Sequence, residues 1–252
     1  MKLKGKIIKE SIKEMVRQYT INVMEIKSFS QVSDLLDSIS FKRKERIERF
    51  YFDKDKIHSL FGELILRYAL WEQFHITTSN ISIGYTAYGK PYLEGYEHIY
   101  FNLSHSGNWV LVGIGDVPLG VDVEQVNDNN ILIVSKSFTE EEKMMILEKD
   151  GEEKKRIFYQ LWTLKESYVK AIGKGLSIPF DSFGFRLYKC HIELYVNEIH
   201  NKQYTFRVGN LDEQHITALC VEQKGATQIE NNVKILSLQH IQKWREMMKA
   251  DL

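Results

Sequence analysis

Cysteine is almost missing from this chain: Cys190 and Cys220 are the only two in 252 residues, and neither belongs to a CxxC pair. A disulfide framework and a thiolate zinc site are thereby excluded as organising devices. Proline is nearly absent as well, with three residues, and no Gly/Ser-rich or low-complexity stretch divides the chain. Two halves would therefore be packed together rather than tethered. No stretch stays apolar for the roughly 20 residues a membrane span needs. The start, Met1 to Glu10, carries lysines without an apolar core and does not read as a signal peptide. The expectation is a cytoplasmic protein with no membrane partner. A charge surplus is lacking too. Lys plus Arg and Asp plus Glu both number 34, which argues against a nucleic-acid binder. What remains, 43% hydrophobic and 27% charged, is ordinary for a globular protein. The length suits one large domain or two small ones sharing a core.

Helical spacing predicts helices near 42–51 and over 57–74, the second with Leu60, Glu63, Leu64, Arg67, Tyr68 and Trp71 recurring. Strand candidates follow at Ile81, Ile99 and Trp109, separated by Gly89-Lys90-Pro91 and Ser106-Gly107-Asn108. A long helix is predicted over 153–172, stopped by Gly173 and Gly175, and again strand candidates follow: DSFGFRL, HIELYV, QYTFRV and HITALCVE. A helix followed by antiparallel-looking strands thus occurs twice. The expectation is two related α+β halves, 1–117 and 118–252, meeting near DVPLG at 116–120. The tail from Val233 reads as a strand and a terminal helix without chemistry.

Three segments are candidates for chemistry. In Tyr100–Gly107 a strand runs into a turn rich in Ser, His and Gly, which could present Ser104, His105 and backbone amides to an anion. A plain polar turn explains it as well. A Ser–His nucleophile pair is disfavoured, because adjacent residues on extended chain point to opposite sides and no GxSxG elbow exists. In Gly120-Val121-Asp122-Val123-Glu124, strand geometry puts Asp122 and Glu124 on one face, where two carboxylates repel unless solvated or bridged by a hard cation such as Mg2+. A solvent-facing strand edge is the commoner fate of such alternation, but the flanking apolar residues favour a half-buried strand and hence a metal. In Leu161–Lys170, Trp162, Glu166 and Lys170 lie four apart on one helix face. A Glu–Lys pair at this spacing also simply stabilises helices. Lys165 sits about a quarter-turn away and would reach the same site only from the side. A fourth element is the basic run Lys42, Arg43, Lys44, Arg46 and Arg49, adequately explained as a solvated face. Arg43 and Arg46, at i,i+3, could clamp a phosphate together.

Each segment alone is ambiguous; together they supply three carboxylates, a histidine and several cations, which suits Mg2+-assisted chemistry at a pyrophosphate. Their order, YGKPYL, FNLSHSG, GVDVE, LWTLKESYVKAIGKGL, resembles the 4'-phosphopantetheinyl transferase family, in particular its long, pseudo-dimeric, surfactin-synthetase-activating type. The likeness spans about residues 40 to 185. The specific part is GVDVE followed some forty residues later by W-x-x-KES-x-x-K.

The resemblance implies an α+β fold of two similar halves related by a pseudo-two-fold, with the active site at the seam. It implies Mg2+ on Asp122, Glu124 and Glu166, with Glu166 or a metal-bound water as base. It assigns Lys170 to the coenzyme A pyrophosphate, Ser104 and His105 to phosphate contacts, and Lys90 to the region near the adenosine. Arg43 and Arg46 fall at basic contacts to the 3'-phosphate, where relatives carry lysines, and Ser59 falls at a further hydroxyl contact. Glu142, flanked by Glu140 and Glu141, falls at an acid often near the metal. The reaction implied is transfer of 4'-phosphopantetheine from coenzyme A to a serine of an acyl or peptidyl carrier protein, releasing 3',5'-ADP, in peptide or polyketide synthesis. The enzyme is expected to act as a monomer. The rivals are a Mg2+-dependent phosphohydrolase acting on coenzyme A or a nucleotide, and a coenzyme A- or carrier-binding module without catalysis.

Overall fold

The computed structural model describes residues 15–77, 81–128, 131–224 and 227–250, so the reading of Met1–Glu10 falls outside the described residues. The N-terminal part contributes β1 (Met15–Asn22), α1 (Phe41–Glu48), α2 (Asp53–Phe74), β2 (Ile83–Tyr85), β3 (Pro91–Leu93), β4 (Tyr100–Ser106) and β5 (Trp109–Gly115). Then come β6 (Leu119–Gln125), the short α3 (Ile131–Val134), α4 (Glu140–Leu147) and α5 (Gly151–Ile172). The chain continues through β7 (Phe183–Leu187), β8 (Ile192–Val196), β9 (Ile199–Asn201), β10 (Tyr204–Asp212), β11 (His215–Glu222), β12 (Gln228–Ile229), β13 (Lys234–Leu236) and α6 (Leu238–Ala250).

The two halves share a plan. In each, a 22-residue helix lies on an antiparallel sheet: α2 against β1–β5–β4, and α5 against β10–β11–β6. Mixed α+β architecture in two similar halves is thus the fold. Sequence spacing alone does not single out β1 or α4. The tail differs from its expected place. Strands β12 and β13 pair in parallel with β1, and Trp244 of α6 enters the core under α2. The segment after β11 therefore crosses back onto the first half, because the free edge of β1 and the apolar face of α2 need covering.

Period-2 alternation explains how the seam is built. Val110, Val112 and Ile114 of β5 face the core under α2, while Trp109 and Leu111 face a separate core between the halves. Leu119, Val121 and Val123 of β6 enter this seam core from the other side, with Leu219 and Val221 of β11. The alternate residues of β6, Gly120, Asp122 and Glu124, are left to face α5. Gly120 is required there, because a Cβ would lie 2.0 Å from the Ser167 carbonyl of α5. That close approach brings Glu166 and Lys170 of α5 over the carboxylates of β6. Helix α5 then stops at Gly173, whose φ of 79° suits the left-handed C-terminal cap.

Candidate active site at the seam

Strand β6 is the edge of its sheet, and its outward N–H groups meet side chains of β4 instead of backbone carbonyls. Asn102 Oδ1 accepts from Val121 N at 2.9 Å, Ser104 Oγ from Val123 N at 3.3 Å and Ser106 Oγ from Gln125 N at 3.0 Å. The same serines hold the acids of β6. Ser104 donates to Asp122 Oδ1 at 2.8 Å and Ser106 to Glu124 Oε2 at 3.0 Å. Ser104 to Ser106 are therefore strand residues, not part of a turn: β4 pairs with β5 through Ser106↔Trp109, and only Gly107 and Asn108 turn. Ser104 and His105 point to opposite sides, as extended chain requires.

Asp122 is buried and receives the Lys170 ammonium on Oδ1 at 2.6 Å, with Lys170 also 3.1 Å from Ser104 Oγ. Its other oxygen, Oδ2, is buried without a hydrogen-bond partner among the described residues. Trp162 donates its indole N–H to Glu124 Oε1 at 3.2 Å, so the residue four before Glu166 positions the second acid. Burial first, and the Asp122 charge second, push the Glu124 carboxyl up to about 7. The same two causes raise Glu166. Burial raises Asp122 too, against the opposing pull of Lys170. Three buried carboxylates, two of them raised by the charge of the third, with one buried oxygen of Asp122 unpartnered among the described residues, form a donor set suited to a hard divalent cation. They do not converge as a ready cage: among the described residues no group of three acids, histidines or cysteines is placed to hold a metal.

Two adjoining cavities open beside these groups. One, of about 270 Å³, is lined by Lys90, Glu166, Lys170 and Gly173 among others. The second, of about 440 Å³, is lined by Arg43, Arg46, His58, Ser59, Ser104 and His105 among others. Gly89, Pro91 and Asn102 border both, making one cleft across the seam. The Lys90 ammonium donates to the Ala171 carbonyl at 2.8 Å at the end of α5, and burial brings its pKa down to about 8. Arg43 gives its Nε to Glu63 at 3.1 Å, a carboxylate also held by Arg67 at 2.7 Å. Arg46 has no ion-pair partner among the described residues. The Ser59 hydroxyl is buried and has no hydrogen-bond partner among the described residues.

Two residues weighed for the site lie away from it. Lys165 does not approach the site from the side. It is fully buried on the far face of α5, 2.8 Å from Glu142, 2.7 Å from the carbonyls of Phe180 and Phe183, and amid phenylalanine rings. Glu142 accordingly is not beside the other acids as placed: it caps α4 through Thr139, accepts from Phe185 N at 3.0 Å and neutralises Lys165. A buried ammonium needs such a partner, and Glu142 supplies it. Sequence reasoning also passed over His58, Asn102, Ser106 and the indole contact of Trp162.

The 4'-phosphopantetheinyl transferase superfamily profile matches residues 118–220, and that of the 4'-phosphopantetheinyl transferase N-terminal region matches 27–114. The chain is 32% identical over 187 residues to a 4'-phosphopantetheinyl transferase of Bacillus subtilis, covering 74% of this chain and 83% of that one. It is 33% identical over 183 residues to the 4'-phosphopantetheinyl transferase Sfp of Bacillus subtilis strain 168, covering 72% and 81%. A human L-aminoadipate-semialdehyde dehydrogenase-phosphopantetheinyl transferase is 29% identical over 207 residues, covering 73% and 67%. The chain belongs to the 4'-phosphopantetheinyl transferase superfamily. Within it, the two-half organisation and the similarity to Sfp make it a member of the long, surfactin-synthetase-activating type.

Proposed function

We propose that this enzyme carries the 4'-phosphopantetheine arm of coenzyme A to the serine of an acyl or peptidyl carrier protein in the cleft across the seam, releasing 3',5'-ADP. The observation that supports the placement is the pair of adjoining cavities, one lined by Arg43, Arg46, Ser59 and His105 and the other by Glu166 with Lys90 and Lys170, which share Gly89, Pro91 and Asn102. The division of labour between residues 1–117 and 118–252 follows: the first half supplies Arg43, Arg46, Ser59, Lys90, Ser104 and His105 for coenzyme A, and the second supplies the acids and Lys170. Among the described residues, the tail packed on the first half brings no group to the cleft. Both sides of the seam come from one chain, which supports action as a monomer.

The polyanionic end of coenzyme A would lie along Arg43, Arg46, Ser59 and His105, where charge-assisted contacts hold phosphate oxygens. Lys90, tied to the Ala171 carbonyl, borders the cleft beyond them. Lys170 would neutralise charge gathering on the leaving phosphate. Glu166, whose carboxyl pKa burial raises, or a water beside it would accept the proton of the incoming serine hydroxyl. Serine oxygen attacks the phosphorus bearing pantetheine, and the bond to the phosphate of 3',5'-ADP breaks. Asp122, Glu124 and Glu166 would hold Mg2+, which supplies charge neutralisation at a pyrophosphate. No nucleophile of the enzyme is used.

The carriers expected are those of peptide and polyketide synthesis. Incubating a panel of apo carriers with coenzyme A, Mg2+ and the enzyme, and weighing them by mass spectrometry, tests the reaction. A gain of one phosphopantetheine with stoichiometric 3',5'-ADP is expected; 3',5'-ADP released at the same rate without any carrier would make the enzyme a hydrolase.

A further inference from the structure

One buried polar group in the cleft has no part in the roles above. His58, on α2, is 4% exposed, and its Nε2 atom has no hydrogen-bond partner among the described residues. The residue lines the same cavity as Arg43, Arg46 and His105. Its ring stacks on that of His105, with centroids 4.6 Å apart and planes 29° apart. An unpartnered buried nitrogen costs stability unless something occupies it. Here it belongs to a cavity lined by Arg43, Arg46 and His105 along with Asp55 and Glu63; Glu63 is already held by Arg43 and Arg67, so the cavity can seat an anion at this nitrogen. Ser59, the next residue, leaves its hydroxyl without a partner among the described residues in the same wall.

We propose that His58 is a second imidazole of the anion pocket: it contacts a phosphate of the bound nucleotide, fixes the ring of His105 by stacking, and lets the stacked pair take up a proton when the phosphate enters. The proposal rests on coenzyme A occupying this cleft. In the empty cleft the pair is held neutral. Burial first, then His105 and Lys54, bring the His58 pKa down to about 4, with Asp55 opposing. Desolvation and the Lys170 charge also lower His105, the more open ring. The charged groups facing the pair are thus Lys54, Asp55 and Glu63 of α2, Lys170 of α5, and Arg43 and Arg46 of α1 across the cavity. Lys54, Lys170, Arg43 and Arg46 outnumber Asp55 and Glu63, so a proton enters with a compensating anion. A phosphate dianion provides it.

Titration calorimetry with 3',5'-ADP, in two buffers of different ionisation enthalpy at about pH 7, reads the proton directly. At that pH a phosphate with a second pKa of about 6 is mostly dianionic, so its own protons contribute little, and any release has the opposite sign. Wild type should take up protons on binding. His58→Phe, which keeps a stacking ring without the nitrogen, should lose that uptake and bind about ten- to a hundredfold more weakly. Turnover at saturating coenzyme A should change much less than KM. His58→Gln, which offers a hydrogen bond but does not titrate, should regain part of the affinity and none of the uptake. Thermal midpoints confirm that both variants are folded. Unchanged affinity and proton uptake in His58→Phe would overturn the proposal while leaving the cleft assignment intact, provided Arg46→Ala weakens binding. If wild type does not bind 3',5'-ADP, or Arg46→Ala leaves binding unchanged, the cleft assignment fails and the proposal with it.

Discussion

Ser104 of β4 and Asp122 of β6 are joined by a 2.8 Å hydrogen bond that crosses from one half of the molecule to the other. The same hydroxyl accepts from the backbone of Val123, so one side chain both pairs the edge of β6 and orients its acid. Asn102 and Ser106 repeat the pairing to either side. The seam is thus closed by side chains of alternate residues. Moving either half would displace the carboxylates.

Asn102→Ala should expose the consequence. It leaves the buried Val121 N–H without its partner, at a cost of about 1–3 kcal/mol. Hydrogen exchange at Val121 should quicken more than at amides within the β10–β11 ladder. Equal protection in variant and wild type would mean the seam does not depend on this contact.

The buried pair Lys165–Glu142 should behave as structure. Lys165→Met alone strands a carboxylate among apolar groups, and Glu142→Gln strands the ammonium, each costing about 3–5 kcal/mol. The double variant should recover much of that loss, and all three should modify carrier at near wild-type rates per folded molecule. Denaturant titration and carrier assay together decide it; a specific rate lost in the stable double variant would return these residues to the chemistry.

Much of the site was legible in the letters and some was not, for a physical reason. Asp122 with Glu124, and Glu166 with Lys170, are set by the strand and helix periods, so their shared faces follow from spacing alone. Lys165 is one residue from Glu166 on the same helix, and which way it turns depends on the pocket of phenylalanines built by β7 and the loop before it. His58, Asn102 and Ser106 act across gaps of about 20 to 50 residues, and no local pattern marks them. The return of β12 and β13 to β1 is likewise a parallel pairing between chain ends, invisible to any short window.

Acid should destabilise the protein partly through His58. Its pKa is about 4 in the folded protein against an ordinary 6.5, so the unfolded chain binds the proton more readily. Its contribution is complete above about 6.5 and is lost as pH falls toward 4. Glu124, raised to about 7 from 4.5, has the opposite sign and favours the fold at lower pH. Thermal midpoints across this range should fall less steeply on acidification in His58→Phe than in wild type; parallel curves would contradict the shift.

Metal removal should stop the reaction. Excess EDTA should abolish carrier modification by wild type, and Mg2+ should restore it. Asp122→Asn keeps the shape but loses the charge and should not be rescued at any Mg2+ concentration, read as rate against added metal. Near wild-type turnover in that variant with limiting Mg2+ would remove Asp122 from the metal set.

Glu166→Gln puts the whole account to the most direct test. If Glu166 served only as a helix partner of Lys170, its loss would cost about 0.2–0.5 kcal/mol and leave turnover alone. If it holds the cation or takes the serine proton, the near-isosteric glutamine should slow transfer by orders of magnitude, general base action alone contributing roughly 10²–10⁴-fold. The measurement is the rate of phosphopantetheine transfer to an apo carrier at saturating coenzyme A and Mg2+, taken beside the thermal midpoint. The account predicts a rate lower by at least about a hundredfold with the fold retained; an unchanged rate would contradict it.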